Sequence, residues 1–159
     1  MPSLPAEMLD FIASGVAHQV GACTGDGTPL ICRALAAAEE PDGRLCVAIS
    51  GESGHELLAA IRANARVSLV LVAPQSFRAL HLKGRDAVVA HGGAAIRPWV
   101  EQRRVAFQRQ IEAYGFAEGF THAWYPADDA DLMAIRFTPF GAWSQTPGPG
   151  AGTAVELAR

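Results

Sequence analysis

Residues 65–89 restrict the possible folds of this chain more than any other stretch. They contain two runs of β-branched and aliphatic residues, Val67–Ala73 and Arg78–Val89, which are joined by the short link Pro74-Gln75-Ser76. Such side chains suit a pleated, half-buried surface, and proline cannot donate a hydrogen bond to a neighbouring strand. The stretch therefore predicts a strand, a turn and a second strand.

The second of these strands has two different faces, because successive side chains of a strand point to opposite sides. One face carries Arg78, Leu80 and Leu82, and the other carries Ala79, His81, Lys83 and Arg85. We expect this strand to pack on a core through its leucines and to present cations to an anion. The alternative is an ordinary solvated strand face.

Turn signals elsewhere divide the chain into further elements, and Asp26-Gly27 and Asp42-Gly43 are typical of tight turns between antiparallel strands. The predicted strands are Val16–Thr24, Thr28–Glu39, Arg44–Ser50, Val67–Ala73, Arg78–Val89 and Leu132–Phe137. The predicted helices are Leu4–Ser14, His55–Asn64 and Arg97–Tyr114. This order predicts a mainly β fold, a six-stranded antiparallel barrel with helical decoration. We expect a single domain over residues 1–159, with a tail rich in proline and glycine from about residue 146.

Composition and charge argue against two classes of partner. The formal net charge of −3 disfavours a nucleic-acid role, since a phosphate backbone selects for basic proteins. No apolar run reaches the ~18 residues that span a bilayer, and the N-terminus lacks the layout of a signal peptide, so we expect a cytoplasmic protein. The three cysteines, Cys23, Cys32 and Cys46, have no metal or redox spacing and are expected to be reduced core thiols.

The sequence contains no recognisable catalytic or metal-binding motif. It has no G-x-S-x-G, no H-E-x-x-H and no glycine-rich phosphate loop. The five histidines are widely spread, so no metal site is predicted. Asp128, Asp129 and Asp131 are typical of a solvated turn.

Arg33 is the charged residue that most needs an explanation. It lies inside an apolar strand, where alternation places it on a face with Ile31, Leu35 and Ala37. A buried arginine needs a partner, because an unpaired buried charge is costly. That partner is either an internal carboxylate or a bound anion such as a phosphate, whose geometry a guanidinium matches.

Two motifs in their order along the chain resemble those of a known superfamily. They are R-A-N-x-R-V-S-L at Arg62–Leu69 and L-x-L-K-G at Leu80–Gly84, and they follow the hairpin that contains Arg33. In this order they resemble the pyridoxamine 5′-phosphate oxidase-like, FMN-binding split-barrel superfamily. The resemblance implies a six-stranded split barrel and a homodimer, with FMN held in two clefts at the subunit interface. The tail from Gln145 to Gly152 is similar to the ending of an uncharacterised bacterial subgroup.

The resemblance also implies candidate cofactor contacts. Arg33 matches an arginine that holds the flavin. Ser50 matches the threonine of a Tyr-Thr pair at the end of the third strand. Ser53 and His55 match the first and last residues of a Ser-Arg-Lys run that supplies phosphate contacts. Three expected contact positions instead carry Ala38, Gly54 and Ala79. Arg62, Arg78 and Lys83 are candidates to replace the missing cations, and Trp143 is a candidate to stack on the flavin or to close the cleft.

Two functions of different class follow from the resemblance. The first is an FMN-dependent oxidoreductase, in which the flavin accepts a hydride from a reduced nicotinamide or another small donor. The second is a non-catalytic binding or stress-related protein with weak FMN binding or another ligand such as haem. In that case His55 and His81 are candidate ligands.

Overall fold

The computed structural model describes residues 4–125 and 128–157, and the described residues form three α-helices and ten strands. The helices are α1 (Ala6–Ala13), α2 (His55–Asn64) and α3 (Gly93–Glu112). The strands are β1 (Ala17–Cys23), β2 (Pro29–Ala34), β3 (Ala36–Glu39), β4 (Leu45–Ser50), β5 (Val67–Val72), β6 (Ala79–Gly84), β7 (Val88–His91), β8 (Leu132–Phe137), β9 (Pro139–Ser144) and β10 (Ala154–Val155). Two short 3₁₀ turns cover Phe120–Trp124 and Asp129–Asp131.

The strands form two antiparallel sheets. The larger sheet has the order β10-β9-β6-β5-β1-β2, and the smaller has the order β3-β4-β8-β7. The predicted mainly β, antiparallel fold is confirmed. Two predicted strands, Thr28–Glu39 and Arg78–Val89, are each divided, because the chain passes from the larger sheet to the smaller one at Leu35 and again after Gly84. Such bends let one run of strand-forming residues serve two packed sheets.

The core fixes the register of the larger sheet. One row of paired residues, Cys32, Val20, Leu69, Leu82 and Ala142, faces inward and is buried. The helices α1 and α2 add buried residues such as Ile12 and Ile61 to the same core. Because side chains alternate along a strand, the rows on either side of this core row face outward. The core therefore determines which residues lie together on the outer face.

The longest helix begins earlier than its sequence pattern predicts. α3 begins at Gly93 rather than Arg97 and ends at Glu112, so that Pro98 is inside the helix. The added residues include Ile96, which is buried against the smaller sheet. Tertiary packing therefore extends the helix at its start. Within the described ranges, no helix combines the length and the apolar character needed to cross a membrane.

The cysteines are free thiols, but they are not all in the core. Cys32 and Cys46 are buried as predicted, and burial raises the pKa of Cys46 to about 12. The prediction was wrong for Cys23, which is exposed. Cys23 is the last residue of β1, where the β1–β2 hairpin extends beyond the core.

Candidate functional site

Two rows of residues form the outer face of the larger sheet. The first row, from β2 to β9, is Ile31, Gly21, Ser68, Lys83 and Gly141. The second row is Arg33, Gln19, Val70, His81 and Trp143. The structure thus brings three of the predicted site residues, Arg33, Lys83 and Trp143, onto one face. The division of β6 into a leucine face and a basic face is also confirmed, since Leu80 and Leu82 are buried.

An open groove of about 510 Å³ runs along the first row. This volume lies within the usual range for small-molecule sites, about 300–1,000 Å³. Its lining includes Gly21, Ile31, Ser68, His81, Phe140 and three cations, Arg66, Lys83 and Arg85. Within the described residues, no Asp or Glu lines it. A protein of net charge −3 therefore has a groove whose charged side chains are all positive.

Three cations of this face rest on aromatic rings. The Lys83 Nζ lies 5.0 Å from the Trp143 ring centroid. The guanidinium carbon of Arg85 lies 4.1 Å from the Phe140 centroid, and that of Arg33 lies 3.9 Å from the Trp124 centroid. None of the three has a carboxylate partner among residues 4–125 and 128–157. Contact with a ring leaves the N–H donors of a cation available to an anion.

His81 adds a neutral polar group to the groove. Burial lowers the pKa of its imidazole, and the positive charge of Lys83 lowers it further, so the ring is neutral near pH 7. Its Nε2 atom is buried and has no hydrogen-bond partner within the described residues. The Trp143 ring lies beside it, with 6.2 Å between the ring centroids. The groove wall thus contains a neutral imidazole with a buried, unpartnered nitrogen as well as cations.

The expectation that Arg33 is buried was wrong. Arg33 is exposed, as is Ile31 with 74% of its surface accessible. The sequence pattern assumed one continuous strand through Leu35, but β2 ends at Ala34 and Leu35 turns into the smaller sheet. Ile31 and Arg33 therefore face outward, while Leu35 and Ala37 are buried.

A second group of predicted residues lies where β4 leads into α2. The Ser53 backbone N–H donates to Ser50 Oγ at 3.2 Å, and His55 Nδ1 lies 3.0 Å from the Glu52 carbonyl oxygen. The Ser53 hydroxyl lies 3.9 Å from the sulfur of Cys32, the residue before Arg33. This junction therefore adjoins β2 next to Arg33.

Gly54 has a steric reason to lack a side chain. A Cβ atom at this position would lie 2.4 Å from Ile49 Cδ1 and 2.9 Å from the Ser50 carbonyl oxygen. Real Cβ atoms do not approach other atoms so closely, so the close packing of α2 on β4 excludes a cation here. The lack of a cationic side chain at Gly54 therefore follows from the close packing around it.

Arg78 lies apart from the groove. Its guanidinium pairs with Glu7 of α1 at 2.7 Å and lies over the Phe11 ring at 4.6 Å. Ala79, the next residue, is buried and its backbone N–H donates to Thr146 Oγ1 at 3.0 Å. Ala38 belongs to the smaller sheet, where it pairs with Cys46.

Several groove residues were not among the predicted site residues. Arg85 could have been found, because alternation places it on the same face as Lys83. Arg66 and Phe140 reach the groove from the ends of other strands, and Trp124 meets Arg33 from a distant part of the chain. No local pattern relates these residues to the groove.

Comparison with solved structures identifies the fold. HupZ of Group A Streptococcus aligns with a TM-score of 0.58 and 14% identity over 94% of this chain and 99% of that one. A Clostridium acetobutylicum protein related to general stress protein 26, of the pyridoxinephosphate oxidase family, gives 0.55 and 17% over 96% and 92%. An F420 reductase gives 0.54 and 18% over 87% and 98%. No family model and no curated protein matches the chain.

The chain has the split-barrel fold of these proteins, one of which is assigned to the pyridoxinephosphate oxidase family. At these identities the likeness establishes the fold and leaves the activity to be argued from the site. In this split barrel, the cationic groove lies on the outer face of the larger sheet.

Proposed function

We propose that this split barrel binds a phosphate-bearing flavin, with FMN as the ligand to test, and acts as a flavin-dependent oxidoreductase. The observation that carries the proposal is the groove in which every charged side chain is a cation and no carboxylate of the described residues takes part. An unpaired cation loses solvation when it is partly buried, and a bound anion offsets that loss. A surface that stays cationic in an acidic protein suits an anionic ligand.

The residues present fit such a ligand. Arg33 and Lys83 would meet the phosphate or the ribityl hydroxyls, and Ser50, Ser53 and His55 would add polar contacts from the start of α2. Trp143 would pack against the flavin ring, since its indole already lines the face beside Lys83. Arg78 is a weaker candidate because Glu7 already pairs with it. Bound flavin would supply hydride transfer, and the chain would position it.

The names of the structural neighbours support this class of ligand. One is an F420 reductase and another is assigned to the pyridoxinephosphate oxidase family. Both names, a reductase and an oxidase, are those of redox proteins, and flavins are among the cofactors that carry out such chemistry.

We also propose that two copies of the chain associate through the outer face of the larger sheet. Ile31 is 74% exposed and Phe140 is 46% exposed there, beside the groove. Apolar side chains grouped beside a ligand groove are typical of an interaction surface. Sedimentation of the wild type and Ile31→Glu tests this arrangement, because a charge at Ile31 should convert a dimer to monomers.

Absorbance spectroscopy tests the proposed cofactor directly. The protein is purified, its spectrum is recorded, and the measurement is repeated after addition of FMN and gel filtration. A two-band flavin spectrum that co-elutes with the protein supports the proposal. Protein that retains no flavin at micromolar FMN contradicts it.

Substitution of Arg33 tests the site. We expect Arg33→Ala to lower FMN affinity at least tenfold, which corresponds to about 1.4 kcal/mol. Arg62→Ala is the matched control, because Arg62 is an exposed arginine on α2, whereas Arg33 belongs to the outer face of the larger sheet. An equal loss in both variants would indicate a non-specific charge effect and would remove Arg33 from the site.

A second candidate function rests on His81. Its neutral imidazole has a buried Nε2 without a partner in the described part of the chain, and a neutral imidazole is a common haem ligand. A non-catalytic haem-binding or stress-related protein would use this residue. The same spectra separate the two functions, since haem gives a Soret band that His81→Ala should abolish.

A further inference from the structure

The indole of Trp124 sets the position of the Arg33 guanidinium. The guanidinium carbon lies 3.9 Å from the Trp124 ring centroid. Over residues 4–125 and 128–157, no carboxylate or carbonyl accepts a hydrogen bond from the Arg33 side chain. Among the described residues, the contact with Trp124 is therefore the specific side-chain interaction of this cation.

A buried polar network holds the segment that carries Trp124, residues 116–125, against α3. Arg104 Nη1 donates to Thr121 Oγ1 at 3.0 Å, and the Thr121 backbone N–H donates to Gln108 Oε1 at 3.2 Å. Gln108 Nε2 donates to the Ala117 carbonyl oxygen at 2.9 Å. Arg104, Gln108 and Thr121 are all buried. A buried network whose members are satisfied fixes its backbone in one arrangement.

Trp124 is also held by its immediate neighbours. The Phe120 ring meets it edge-on, with 4.6 Å between the centroids. The Tyr125 hydroxyl donates to the Leu35 carbonyl oxygen at 3.0 Å, next to the end of β2. Burial raises the pKa of Tyr125 to about 12, so this hydroxyl stays protonated and remains a donor. The indole is thus fixed in place before it meets Arg33.

We propose that Trp124 is a positioning residue that holds Arg33 ready for the phosphate of the ligand. A cation–π contact uses the charge of a guanidinium and none of its five N–H donors, which remain available to an anion. Holding a side chain in its bound conformation improves affinity because less freedom is lost on binding. One fixed arginine would then serve where Ala38 and Gly54 supply no cation. This inference rests on the proposed FMN binding.

Comparison of FMN with riboflavin, which lacks the phosphate, isolates this role. Full-length wild type, Trp124→Leu, Trp124→Met and Trp124→Phe are titrated with both compounds. We expect the leucine and methionine variants to bind FMN about three- to tenfold more weakly, the effect of losing a cation–π contact, with riboflavin affinity unchanged. The phenylalanine variant keeps a ring and should recover most of the FMN affinity. A structural defect would weaken both ligands alike.

A double substitution completes the test. In an Arg33→Ala background, Trp124→Leu should have no further effect on FMN affinity, because the indole acts through the guanidinium. If wild type binds FMN but Trp124→Leu and Trp124→Met keep its preference for FMN over riboflavin, the positioning role is wrong and the proposed function stands. If wild type does not bind FMN, both proposals fail. If Trp124→Leu still weakens FMN binding without Arg33, the indole contacts the ligand itself.

Discussion

Arginines of this protein are held in two different ways in two regions. Around the smaller sheet and α3, four arginines pair with carboxylates: Arg44 with Asp86, Arg97 with Asp129, Arg104 with Glu101, and Arg136 with Glu40. On the outer face of the larger sheet, Arg33 and Arg85 lie on aromatic rings, as does Lys83. A carboxylate neutralises the cation, whereas a ring holds it and leaves the charge in place.

This difference separates structural cations from cations kept for a ligand. Removing one partner of a half-buried ion pair leaves a desolvated charge, so a carboxylate-paired arginine should matter for stability. An exposed cation on a ring contributes little to stability and keeps its donors free, so it should matter for binding. A substitution in either class should therefore change either stability or ligand affinity and leave the other unchanged.

The largest expected effect is on ligand binding. Arg33→Ala combined with Lys83→Ala should lower FMN affinity about a hundredfold, since each charged contact contributes at least about 1.4 kcal/mol. The free energy of unfolding should change by less than about 1 kcal/mol, because Arg33 is exposed, Lys83 is only half-buried and neither pairs with a carboxylate of the described residues. Fluorescence titration and urea unfolding measure the two quantities. A large loss of stability would place these cations with the structural ones.

The opposite outcome is expected for a carboxylate-paired arginine. Arg136 Nε donates to both Glu40 oxygens at 2.8 and 3.0 Å, and both side chains are less than a third exposed. Glu40→Ala should reduce the free energy of unfolding by about 1–3 kcal/mol and leave FMN affinity unchanged. Glu40→Gln, which keeps an acceptor, should lose less. Weakened FMN binding in a folded Glu40→Ala protein would contradict the separation.

His18, a buried histidine beside the cation Arg103, predicts a pH dependence of the folding stability. Burial and the nearby charge of Arg103 lower the pKa of His18 to about 4. Between pH 6.5 and 4 the unfolded chain binds a proton at His18 that the folded chain does not, so acid favours unfolding. Stability should fall by about 1.4 kcal/mol per pH unit from this group as the pH decreases through that range, and should be independent of it above pH 6.5.

Comparison of wild type with His18→Gln isolates this contribution. Urea unfolding of both proteins at pH 7.5 and pH 5 gives the change in stability of each. The wild type should lose more stability than the variant between the two pH values. Equal losses would show that His18 is protonated to the same extent in the folded and unfolded states.

The smallest effect is expected at Arg78, which combines both kinds of contact. It pairs with Glu7 at 2.7 Å and lies over Phe11, and both members of the ion pair are well exposed. Arg78→Ala should change stability by less than about 1 kcal/mol and FMN affinity by less than twofold. A tenfold loss of FMN affinity would extend the site to the α1 side of the sheet.

The fold was largely predictable from the sequence, because local patterns determine it. Alternation in β6, the Asp-Gly turns and the bounds of α2 all agree with the structure. The two crossings between sheets were not predictable, since Leu35 and Arg85 continue runs that favour strands. The assumption of a continuous strand is also what misplaced Arg33 in the core.

The site was only partly predictable, because its contacts join distant parts of the chain. Arg33, Lys83 and Trp143 were identified as candidates, and all three lie on one face. The contact between Trp124 and Arg33 depends on how α3 and the segment after it pack, which no local pattern encodes. The lack of carboxylates in the groove, among the residues that the structure describes, can likewise be recognised only when five strands are aligned.

Nuclear magnetic resonance of the ¹⁵N-labelled protein tests the central claim most directly. On addition of FMN, we expect shifts in the backbone amides of Gly21, Ser68 and Lys83 and in the Trp143 indole N–H, with the amides of Cys46 and Arg136 unchanged. Inorganic phosphate at high concentration should shift a subset of the same signals. Saturating FMN that leaves the outer face unchanged, or that shifts only the smaller sheet, would contradict the assignment of the groove as the ligand site.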